Sequence, residues 1–161
     1  MYKINDYVVY KVDVCKISDI HYNALKKQDY YVLIPIDDDS LKIAITINNN
    51  GYLKNLITKD KIFELINDIP GIKIIDISDI LIENEYRKLL KTYNHYDLVK
   101  IIKTTYLRNK ERSDNKKKVS ERDNDYFIKA EKGLYNDFGI VLNMSFDETR
   151  NFIIEKVESI L

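Results

Sequence analysis

The chain has 161 residues of which 45% are apolar, enough for one ordinary domain or two small ones and too apolar for a disordered tail. Its 26 basic side chains equal its 26 acidic ones, so any attraction to nucleic acid has to come from a local patch. A single cysteine, Cys15, excludes an intramolecular disulfide and argues against a cysteine-based zinc centre, which fits a reducing, cytoplasmic setting.

The opening MYKINDYVVYKVD has no basic segment followed by an apolar run, and no apolar stretch approaches bilayer length. The expectation is therefore neither export nor a membrane span. From Tyr2 to about Leu56 the pattern has a period near two. Tyr7–Tyr10, Tyr30–Ile36 and Leu41–Ile47 are rich in β-branched and aromatic residues and read as strands. In the third run Leu41, Ile43, Ile45 and Ile47 share one face, and Lys42, Ala44 and Thr46 share the other. Asp37-Asp38-Asp39-Ser40 reads as a hairpin turn, because a hard-metal loop would need alternating ligands, a Gly and a distal Glu. Asn48-Asn49-Asn50-Gly51, residues that tolerate positive φ, closes the strand region.

Helical periodicity then takes over. Thr58 is the expected N-cap of a helix carrying Ile62, Phe63, Leu65 and Ile66, which stops near Asp68 before Pro70-Gly71. Ile72–Ile82 fits either an extended crossing segment or the start of another helix. Helices are expected over Glu83–Tyr93 and from Asp97 to about Arg112, broken near Asn94-His95. In the second of these Leu98, Ile101, Ile102 and Tyr106 point one way, while Lys100, Lys103 and Lys110 occupy the opposite arc. A polar loop, Ser113–Arg122, leads to a helix capped by Ser120 with a stripe of Phe127, Ala130, Leu134, Phe138 and Val141. Ser145 and Glu148 form a capping box for a last helix burying Phe152, Ile153, Val157 and Ile160.

Charge is unevenly spread. Residues 84–122 carry 12 basic and 5 acidic side chains, making this the one segment able to attract a phosphate backbone. The chemistry of catalysis is not seen. The four glycines form no phosphate loop, His21 and His95 belong to no metal motif, and Cys15 reads as a buried structural thiol. The expectation is a protein that is not an enzyme and has no cofactor, no metal and no small-molecule substrate.

Three features together resemble the CarD family of bacterial transcription regulators, whose N-terminal module also occurs in the transcription-repair coupling factor. Tyr2-Lys3-Ile4-Asn5-Asp6-Tyr7-Val8-Val9-Tyr10 is similar to the family's aromatic-x-x-Gly-Asp-x-Val-Val-Tyr start. Tyr30-Tyr31-Val32-Leu33 followed by Leu41-Lys42-Ile43-Ala44-Ile45 matches its paired central strands. Leu98-Val99-Lys100-Ile101-Ile102-Lys103 with Tyr106 and Arg108, then Ser120-Glu121 and a closing helix, resembles its helical half.

The resemblance implies an α+β chain: a small Tudor-like or SH3-like β-barrel over residues 1–56, then an all-helical domain over 57–161. It implies that the barrel binds the RNA polymerase β subunit by strand addition, here through Leu41, Lys42, Ile43, Ala44, Ile45 and Thr46. The helical domain would touch promoter DNA weakly and without sequence preference, through Lys100, Lys103, Arg108, Lys110, Arg112, Lys116, Lys117 and Lys118, and so modulate open-complex stability. The chain departs from the family at Asn5, where Gly is usual, and at Lys11-Val12-Asp13-Val14, which replaces Pro-x-His-Gly. It has no tryptophan, and Asp79, or a neighbour within 75–80, stands where the family's DNA-wedging Trp is expected. The alternative is therefore a polymerase-binding module without productive DNA contact.

Overall fold

The computed structural model describes residues 2–160, with the side chains of 49, 50, 157, 158 and 160 outside the description. The chain is α+β and divides into two compact units, Met1–Leu56 and Ile57–Leu161.

The first unit is an antiparallel sheet of five strands, β1 (Tyr7–Tyr10), β2 (Asp13–Asn23), β3 (Gln28–Pro35), β4 (Ile43–Thr46) and β5 (Leu53–Lys54), in the order β4-β3-β2-β1-β5. The sheet does not close. Alternation places Val8, Cys15, Ile17, Tyr31, Leu33, Ile45 and Leu53 in one core, with Tyr2, Tyr10, Ile43 and Ile47 packed against it. Asn5 adopts φ 76°, its N–H bonded to the Ile17 carbonyl at 2.8 Å. Asn tolerates this region better than other non-glycine residues, which lets a residue with a side chain hold the turn.

Several expected boundaries move. The third run is a strand only over Ile43–Thr46: Leu41 precedes it, exposed, and Ile47 opens a 3-10 turn, Ile47–Tyr52. That turn contains Asn48–Gly51 and ends β4, with no positive φ at Gly51, but the strand region is not closed there, because the chain returns to pair Leu53 with Tyr10. The 11-residue β2 is the longest strand, although its mixed pattern Asp13–Asn23 shows little alternation.

The second unit contains α1 (Lys59–Asp68), α2 (Asp79–Thr92), α3 (His95–Asp114), α4 (Glu121–Leu142) and α5 (Phe146–Ile160). Thr58 caps α1, its Oγ1 accepting from Lys61 N at 3.4 Å, and Ser120 caps α4, its Oγ accepting from Asp123 N at 3.1 Å. The Ser145–Glu148 box is formed in both directions. Ile72–Ser78 is irregular and the helix begins at Asp79, earlier than Glu83; α3 likewise runs from His95 to Asp114, beyond both expected ends, because Asn94 caps it at Tyr96 N. Ile62, Leu65, Ile82, Tyr86, Leu98, Ile101, Ala130, Leu134, Phe138 and Ile153 are buried. Phe127 and Phe152 are only partly buried, and the expected contributions of Val157 and Ile160 lie outside the described side chains.

Candidate interaction surfaces

Two surfaces emerge from these elements, one in each unit. In the sheet, β4 pairs with β3 on one side only, Tyr30 opposite Thr46, Tyr31 opposite Ile45, Val32 opposite Ala44 and Leu33 opposite Ile43. Among the described residues no strand pairs with its other side. A lone edge leaves backbone N–H and C=O groups able to receive an incoming strand. Of the six residues expected there, Ile43 and Ile45 face the core, Ala44 is exposed, Thr46 is half-buried, and Leu41 and Lys42 lie exposed just before the strand. Beside the edge, Asn23, Lys26, Gln28, Tyr30, Ala44 and Thr46 line a shallow cleft of about 160 Å³.

In the helical unit the expected basic face separates into two groups. Lys100, Lys110 and the loop lysines Lys116, Lys117 and Lys118 carry no ion pair among the described residues, and all but half-buried Lys100 are exposed. Lys103 does not join them. Its Nζ donates to the carbonyls of Ile69 at 2.9 Å and Ile72 at 2.6 Å, tying α3 to the end of α1. The Ile69 carbonyl already accepts from Ile72 N at 3.1 Å in the short turn after α1, and the ammonium adds a charged donor to it and supplies one to the Ile72 carbonyl. Tyr106, expected on the apolar face, is 56% exposed, and Thr104 and Thr105 are buried in its stead by bonding back to the carbonyls of Lys100 and Ile101.

Arg108 and Arg112 also point inward. Asp123 is fully buried at the start of α4; its Oδ2 accepts from Arg108 Nε at 2.9 Å and Arg112 Nη1 at 2.8 Å, and its Oδ1 from Tyr86 Oη at 3.1 Å. Burial alone would raise the Asp123 carboxyl, but the Arg112 and Arg108 hydrogen bonds outweigh it and the net shift is downward. Arg108 further bonds Asp79, whose carboxyl is lowered by that hydrogen bond. Burial opposes the charge on Arg108, yet the bonds to Asp79 and Asp123 raise its pKa.

Sequence reasoning missed Asp123 because an acidic residue three positions after a Ser reads as a capping residue. It also missed Asp137, fully buried, whose Oδ2 lies 2.5 Å from His95 Nε2 and whose Oδ1 accepts from Ile57 N at 3.1 Å. His95 is thus a structural histidine stacked on Phe138. Ile80 is 89% exposed and Leu81 is also exposed, at the start of α2. Their place in an apolar run, Ile72–Ile82, gave no signal of that exposure.

Among the described residues no group of three or more His, Cys, Asp or Glu could hold a metal ion. No helix among them is long and apolar enough to cross a membrane. No protein-family model matches the chain, and no curated protein matches it.

Proposed function

We propose that this chain is a cytoplasmic bacterial transcription regulator of the CarD type, which acts by binding and not by catalysis. The observation that carries the reading is the unpaired side of β4 in a small antiparallel sheet. In this reading the sheet is the strand set of a Tudor-like or SH3-like module. A strand of the RNA polymerase β subunit adds to β4, each main-chain hydrogen bond contributing about 0.5–1.5 kcal/mol net. The cleft beside Tyr30 and Ala44 receives a side chain of that strand and supplies specificity. The helical unit then stands near promoter DNA and modulates open-complex stability through weak phosphate contacts, helped by the high effective concentration that polymerase binding creates.

Binding of RNA polymerase core from the source organism to the full chain tests the first half. Ala44→Pro removes a backbone donor from β4, so a folded Ala44→Pro variant should bind polymerase at least about tenfold more weakly, the equivalent of one or two such bonds. Unchanged affinity would remove β4 as the contact.

A second reading, a polymerase-binding module without productive DNA contact, is favoured by the internal engagement of Lys103, Arg108 and Arg112. Changing Lys100, Lys110 and Lys116–Lys118 to Glu decides between the two. The first reading expects a shorter open-complex lifetime; an unchanged lifetime with intact polymerase binding supports the second.

A further inference from the structure

The start of α2 brings three guanidinium groups around one exposed carboxylate. Arg108 Nη2 holds Asp79, and its Nε holds buried Asp123. Arg112 reaches Asp123 from α3, and Arg122 donates Nη1 to the Asp79 carbonyl at 3.3 Å. The Arg122 Nε is buried with no hydrogen-bond acceptor among the described residues, 3.7 Å from Asp123 Oδ1. A cleft of about 340 Å³ opens here, lined by Asp79, Arg108, Arg112, Asn115, Lys117 and Lys118, with Glu111 as its second acid.

Two carboxylates serve this cluster and they differ in kind. Asp123 is fully buried and cannot leave without stranding its partners, whereas the Asp79 side chain is 72% exposed. Exposed ion pairs add little to stability, so the Asp79 contact is the exchangeable one. Phosphate presents the same oxygen pair to a guanidinium as a carboxylate does, with more charge. Four cations (Arg108, Arg112, Lys117 and Lys118) line the cleft with two acids (Asp79 and Glu111), and the departure of Asp79 raises the local positive excess.

We propose that Arg108, Arg112, Lys117 and Lys118 form a phosphate-binding cleft that the Asp79 carboxylate occupies in cis, and that a phosphate group enters by displacing it. Where that phosphate belongs to a nucleic-acid backbone, the proposal rests on the DNA-contact reading above. Asp79 then keeps the cleft closed until a high local concentration of phosphate competes with it, which limits binding to DNA that polymerase has already brought close.

The test uses the full chain as Asp79→Asn, with Asp76→Asn as a control of equal charge change on an exposed acid three residues upstream. Binding of a mixed-sequence 24-bp duplex is followed by anisotropy over a range of salt, and inorganic phosphate is titrated against chloride at matched ionic strength by NMR. Asp79→Asn should tighten duplex binding by roughly three- to tenfold and steepen the log-log salt slope by about 0.9, the signature of one more phosphate contact. Asp76→Asn should leave the slope unchanged, and adding Lys117→Gln and Lys118→Gln to Asp79→Asn should abolish the gain. A gain for inorganic phosphate alone keeps the cleft and assigns it to a free anion. Duplex binding equal in wild type, Asp79→Asn and Asp76→Asn, without a phosphate gain, overturns the cleft and leaves the DNA reading standing. No binding of either probe by any of the proteins overturns both.

Discussion

Replacing Asp123 with Asn perturbs the most charged part of the helical interior while conserving its shape. The carboxylate accepts from Arg108 Nε at 2.9 Å, Arg112 Nη1 at 2.8 Å and Tyr86 Oη at 3.1 Å. An amide offers one acceptor oxygen, so its NH₂ must face at least one of these donors, Arg112 loses its counter-ion and Arg108 keeps only the exposed Asp79. Breaking a buried pair by removing one partner costs about 3–5 kcal/mol. Arg108 and Arg112 retain 21% and 22% side-chain exposure, so water reaches their outer nitrogens and the cost should fall near the lower end. At about 4–8 °C per kcal/mol for a domain of this size, the melting temperature of the helical unit should drop by more than about 12 °C. Far-UV circular dichroism of thermal and urea unfolding at pH 7 measures it. The sign with pH follows from the lowered Asp123 carboxyl. The stabilisation is complete above the unfolded carboxyl pKa of about 3.9 and is lost as pH falls through the lower folded value. The gap between wild type and Asp123→Asn should therefore narrow only in acid below about pH 4. A loss under about 1 kcal/mol at pH 7 would show that the arginines do not depend on this carboxylate.

Phe138→Ala empties a fully buried site against His95 and should cost about 3–5 kcal/mol by denaturant unfolding, where an exposed control such as Ile128→Ala costs far less. Gly139→Ala places a Cβ 2.9 Å from the Met144 carbonyl and 3.0 Å from Thr149 Oγ1, so the α4–α5 corner must open; a loss of about 1–3 kcal/mol is expected despite the better helix propensity of Ala. Cys15 is fully buried, and burial pushes its thiol up to about 12. Its iodoacetamide labelling at pH 8 should be slower in the folded protein than in urea by on the order of 1000-fold, and comparable rates would contradict the packing of β2.

What the chain determines by itself is local. The period of two before Gly51 and the helical period after it, the caps at Thr58 and Ser120, and the box at Ser145 and Glu148 involve partners within four residues. Composition and hydrogen-bonding reach make these legible without any tertiary contact. The surfaces were decided by partners far along the chain. β4 is an edge because Leu53 and Lys54 return to pair with β1, and nothing in the residues 43–46 encodes that. Lys103 and Lys110 share one arc of the helical projection, and Arg108 on another arc is no less a solvated cation by sequence. Only folding places two carbonyls of the segment after α1 beside Lys103 and carboxylates from α2 and α4 beside Arg108, 29 and 15 residues away, leaving Lys110 in water. A charge is read from sequence, but whether it is free to meet a partner depends on which buried polar groups need it, because an unpaired buried carbonyl or carboxylate costs more than a solvated cation gains.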